Sequence, residues 1–107
     1  MLGAALLSAC DGGTPVAQAI RREASEFKFE PATIAAQVDQ PVRVSVTNVG
    51  SLAHTFTVTE LGVDEPLPVG QTVTAEFTPA QRGTYQLVCT VPGHKEAGMA
   101  GTVTLTP

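Results

Sequence analysis

The sequence predicts an all-β chain folded as a two-sheet antiparallel β-sandwich. Short runs after Glu26 alternate apolar with polar residues, they are rich in Val and Thr, and clusters of Gly, Pro, Asn and Asp separate them. No stretch beyond Ser25 carries a helical period. A chain of 107 residues is one domain at most, and 43% hydrophobic content supports a small core. With no Trp, one Tyr and four Phe, that core must be built mainly from Val, Leu, Ile and Ala.

Taken in order, residues 1–10 read as targeting and 11–25 as a tether, which leaves 26–107 for the folded domain. The apolar run from Met1 to Leu7-Ser8-Ala9-Cys10 resembles the lipobox of bacterial lipoproteins, whose cysteine becomes the lipidated first residue of the mature chain. No cationic segment precedes it, and the run is shorter than a usual signal core. The resemblance implies a lipid at Cys10 and a membrane-anchored protein in the periplasm or elsewhere outside the cytoplasm. The competing readings are an ordinary small-residue N-terminus with a free thiol and a Cys10–Cys89 disulfide; two cysteines are too few for a disulfide framework. Gly12-Gly13, Thr14-Pro15 and the polar stretch through Arg21-Arg22 have the composition of a linker.

From Glu26 the period is two. Phe27 and Phe29 alternate with charged residues; Ile34, Ala36 and Val38 follow; Val42, Val44 and Val46 alternate with Arg43, Ser45 and Thr47. Asp39-Gln40-Pro41 and Asn48-Val49-Gly50-Ser51 supply turn chemistry between these strands. Further strands are expected over 55–59, 72–78, 84–90 and 101–106, with a tight turn through 79–83. Tyr85 reads as a structural tyrosine corner. Glu60, Asp64 and Glu65 read as a solvated acidic loop.

The chemistry-bearing residues gather near the carboxyl end. Cys89, His94 and Met99 stand five residues apart in one Gly- and Pro-containing loop, and His54, the other of the two histidines, lies upstream. Two imidazoles and a thiolate with a long axial thioether are the ligands of a blue-copper electron-transfer centre. Thiolate and imidazole suit both Cu(I) and Cu(II), so such a site rearranges little when an electron arrives. Strand alternation points His54 with Phe56 and Val58, and Cys89 with Tyr85 and Leu87, so both ligands face inward at strand ends. Pro92, Gly93 and Gly98 let the loop bend, and Thr90 stands where it could restrain the loop by hydrogen bonding.

The run Val88-Cys89-Thr90-Val91-Pro92-Gly93-His94, continued by Ala97-Gly98-Met99-Ala100-Gly101-Thr102-Val103, resembles the copper loop of auracyanin-type and plastocyanin-type cupredoxins. Phe27-Lys28-Phe29-Glu30-Pro31, Asn48, Gly50 and His54-Thr55-Phe56 are similar to the amino-terminal half of small cupredoxin domains. The resemblance implies a Greek-key β-sandwich, a single type 1 copper held by His54, Cys89, His94 and Met99, and one-electron transfer rather than enzymatic turnover. A periplasmic copper-binding or copper-delivery module on the same fold is the alternative. Two departures stand out: Thr55 occupies the place where many type 1 proteins carry an asparagine, and the interval from His54 to Cys89 is short.

Other functions lack their residues. A net charge of −4, with no basic run longer than Arg21-Arg22, argues against nucleic acid. One Cys and two His after Ser25 do not make a four-ligand structural zinc site. A dinuclear copper centre needs a second loop cysteine, and nucleophilic catalysis by Cys89 needs an orienting acid or amide beside His94. The expected partners are redox proteins that dock briefly on a monomer. Pro92, Ala97 and Ala100 would form the apolar patch around His94 that receives them.

Overall fold

The computed structural model of the protein describes residues 18–107. Nine strands follow in order: β1 (Gln18–Ser25), β2 (Lys28–Glu30), β3 (Thr33–Gln37), β4 (Val42–Asn48), β5 (His54–Val58), β6 (Val63–Leu67), β7 (Thr72–Phe77), β8 (Gly83–Val88) and β9 (Ala100–Thr106). A 3-10 turn, Thr59–Leu61, links β5 to β6. One sheet has the order β2-β1-β4-β7 and the other β3-β9-β8-β5-β6. No helix among the described residues is long and apolar enough to cross a membrane.

The period-two pattern becomes the core. Val42, Val44, Val46 and Asn48 of β4 are buried while Arg43 faces solvent, and His54, Phe56 and Val58 of β5 are buried together. Ile34, Leu67, Leu87 and Val103 complete the layer between the sheets. Phe29 meets Phe56 edge to face with ring centroids 5.9 Å apart. Each such aliphatic or aromatic side chain contributes about 1.5–3 kcal/mol on burial.

Both sheets are mixed rather than purely antiparallel: β1 runs parallel to β4 and β3 runs parallel to β9. The chain passes between sheets from β2 to β3 and again from β3 to β4. Neither parallel pair is therefore joined by a hairpin, which would have forced antiparallel pairing.

Three expectations are corrected. Gln18–Ser25, assigned to the tether, is β1, hydrogen-bonded to β2 on one side and β4 on the other. Its own pattern is weak because Ala24 is its sole fully buried residue, so the strand is set by its partners. The acidic loop is partly the edge strand β6, where Pro66 is tolerated because an edge leaves one side of the backbone unpaired. Asp64 there accepts a hydrogen bond from the Thr57 hydroxyl at 3.0 Å. Phe27 leaves the strand alternation altogether and sits in the β1–β2 turn with φ 65°. The tyrosine corner is present: the Tyr85 hydroxyl donates to the Gln81 carbonyl at 2.8 Å. Cys10 and the lipobox-like run lie outside the described residues.

Candidate metal centre

The site forms where two strands stop pairing. β5 and β8 share the single bridge Thr57–Val88, and beyond it the backbone ladder gives way to side-chain bonds. The Thr55 N–H donates to Cys89 Sγ at 3.4 Å, and the Thr90 N–H donates to the Thr55 hydroxyl at 2.8 Å. His54 opens β5 and Cys89 directly follows β8, so the alternation that buries Phe56 and Leu87 also turns both ligands inward.

The loop from Cys89 to Met99 is closed on itself. The Cys89 N–H donates to the Met99 carbonyl at 3.2 Å, and the Met99 N–H donates to the His94 carbonyl at 3.0 Å. Further bonds run from the His94 N–H to Val91 O and from the Gly98 N–H to Lys95 O. Gly93 and Gly98 take φ of 84° and 112°, which a residue with a Cβ adopts only at a cost. These bonds fix the backbone from which Cys89, His94 and Met99 project.

Three donors converge as a result. His54 Nδ1 lies 3.1 Å from His94 Nδ1, while Cys89 Sγ lies 4.0 Å from the first and 3.6 Å from the second. Each separation is shorter than the sum of the two bonds to an ion held at about 2.0–2.1 Å from nitrogen and about 2.3 Å from sulfur, so the spacing is compatible with one shared ion. Cys89 is a free thiol, and with His54 and Met99 it is almost fully buried. His94, at 9% exposure, is the member that reaches the surface. A thiolate and two imidazoles suit copper in either oxidation state, so His54, Cys89 and His94 are positioned as a copper site. The Met99 backbone is tied to Cys89 and His94 by hydrogen bonds, and its side chain is fully buried.

Residues outside the donor set hold it in place. Asn48 is buried at the end of β4, donating through Nδ2 to Leu52 O at 2.8 Å and Leu67 O at 2.9 Å and accepting from the Gly50 N–H. It thereby fixes the segment leading into His54, a role that neither its place in a turn nor its part in the family resemblance had specified. Glu26 accepts from the Ser51 N–H at 3.0 Å and from the Ser51 hydroxyl at 3.0 Å. The Ser51 amide, then its hydroxyl, hold the Glu26 carboxyl below the usual range. The Phe27 ring meets His94 edge-on at 5.2 Å. Nothing in the sequence pattern pointed to Glu26, and Phe27 read only as a strand residue within the resembling run, because the contacts of both are made across the fold. Of the expected docking residues, Pro92 and Ala97 are exposed and Ala100 is half-buried at the start of β9.

Comparison with known proteins agrees with this fold. Auracyanin-B of Chloroflexus aurantiacus is 46% identical over 41 residues, a stretch covering 38% of this chain and 17% of that protein. The structure of auracyanin B superposes with a TM-score of 0.75 at 23% identity, covering 90% of this chain and 93% of the other. Auracyanin A, described as a "blue" copper protein from the same bacterium, gives 0.72 at 19% identity over 87% of this chain and 100% of its own. At these identities the structures share the fold. The Cupredoxin-like domain family matches residues 1–104. Matched over nearly its full length, and with a thiolate and two imidazoles gathered at one pole of its sandwich, the chain belongs to the cupredoxin-like family.

Proposed function

We propose that the protein is a one-electron carrier whose single type 1 copper is held by His54, Cys89 and His94, with Met99 as the weak axial ligand. The observation that carries this reading is the convergence of Cys89 Sγ with both Nδ1 atoms inside one buried cluster. Copper, when bound, supplies a Cu(I)/Cu(II) couple. Cys89 contributes the thiolate, and the two imidazoles contribute neutral nitrogen donors acceptable to both oxidation states. The self-bonded loop and the Thr55–Thr90 tie keep these donors in one arrangement, so little must move when charge changes. His94 provides the route outward, since it is the least buried of the four.

The same reading extends to context. The patch around His94, with exposed Pro92 and Ala97, suits brief docking of a redox protein. The lipobox-like run supports an extracytoplasmic protein tethered by lipid at Cys10. Titrating the metal-free protein with copper and recording a voltammogram tests the function. A single equivalent with a reversible one-electron wave supports it; copper that binds without such a wave contradicts electron transfer.

A further inference from the structure

Among the described residues, two buried side-chain polar atoms lack a hydrogen-bond partner, and one of them is His54 Nε2. The ring turns Nδ1 toward Cys89 and His94, which sends Nε2 out of the cluster toward Glu26 Oε1, 3.5 Å away. A neutral imidazole that gives the Nδ1 lone pair to a metal must carry its proton on Nε2. An N–H buried there without an acceptor is costly. The Glu26 carboxylate is anchored, not swinging: both of its oxygens accept from the Ser51 N–H and one from the Ser51 hydroxyl. Gly50 makes that seat possible, because a Cβ at this position would overlap the carboxylate. Glu26 and Phe27 thus form one turn, between β1 and β2, that faces both histidines.

We propose that Glu26 is a positioning residue for the metal centre, accepting the His54 Nε2–H so that Nδ1 stays free as a ligand. Outer carboxylates fix tautomer and ring orientation and make the imidazole a better donor. Closing the 3.5 Å separation to hydrogen-bond length takes a shift of only a few tenths of an ångström. The carboxylate also adds negative charge behind a ligand, which favours Cu(II) over Cu(I). The inference rests on the copper reading given above.

The test uses the full protein, copper-loaded, with Glu26→Gln, Glu26→Ala and, as a control, Glu30→Gln, whose exposed carboxylate sits beside Lys28. Glu26→Gln should keep the thiolate-to-copper absorption and shift the reduction potential upward. Glu26→Ala should in addition weaken copper binding by about 10–100-fold. In the Cu(I) form, the His54 Nε2–H proton should be visible by NMR in the wild type and Glu26→Gln and exchange away in Glu26→Ala. The control should shift the potential less than Glu26→Gln. A wild type without the absorption overturns this inference together with the copper reading. A wild type with the absorption, but with potential, affinity and Nε2–H unchanged in both Glu26 variants, overturns the role of Glu26 alone.

Discussion

The hydroxyls of Thr55 and Thr90 lie 2.9 Å apart, and the Thr90 backbone N–H donates to the Thr55 hydroxyl at 2.8 Å. These contacts join the residue after one histidine to the residue after the cysteine, at the level where β5 and β8 have ceased to pair. Thr55 thus braces the cysteine loop at the position where many related copper proteins carry an asparagine. Its backbone N–H also reaches the Cys89 sulfur at 3.4 Å, so one residue steadies both the thiolate and the loop behind it.

Thr55→Val removes the acceptor of the Thr90 N–H while keeping the shape of the side chain. Metal-free protein carrying it should lose at least about 1 kcal/mol in denaturant unfolding, since the hydroxyl's bonds with the Thr90 N–H and the Thr90 hydroxyl, each worth about 0.5–1.5 kcal/mol net, are lost together. Thr55→Ser, which retains the hydroxyl, should stay close to wild type. Equal stability of the Val and Ser variants would show that the brace contributes nothing.

Met99 should tune the centre rather than create it. Met99→Leu should retain copper and raise the potential, because a lost donor penalises Cu(II) more than Cu(I). Met99→Gln should lower it. Voltammetry that gives the wild-type potential for both variants would contradict axial ligation.

Docking should run over the His94 edge. Pro92→Glu or Ala97→Lys places a bulky charge on exposed loop positions without touching the buried donors. Electron exchange with a competent partner should slow while the copper spectrum stays nearly intact. Unaltered rates in both variants would move the docking face elsewhere.

Lipid attachment makes its own prediction. Native protein should fractionate with membranes and carry lipid on Cys10, and Cys10→Ala should release it or leave it unprocessed. An unmodified Cys10 in the mass spectrum of native material contradicts the anchor.

Legibility differed by the range of the interaction. The cluster of Cys89 and His94 with His54 could be anticipated from the sequence, because Cys89 and His94 share one short loop whose Gly93 and Gly98 mark its bends. Strands such as β4 and β5 were legible because each buries its own alternating face. β1 was not, since a strand bonded on both sides needs little apolar periodicity of its own, and β6 was obscured by Pro66 and two acids that an edge accommodates. Glu26 was hidden for a third reason: its partners, Ser51 and His54, lie more than two dozen residues away, and only the fold brings them to its carboxylate.

Visible absorption of the one-copper protein, compared with Cys89→Ser, tests the central claim most directly. The account predicts an intense thiolate-to-Cu(II) band in the oxidised wild type, bleached on reduction and absent from Cys89→Ser. A band that persists in Cys89→Ser, or a wild type that binds copper without one, would contradict a copper centre built on Cys89.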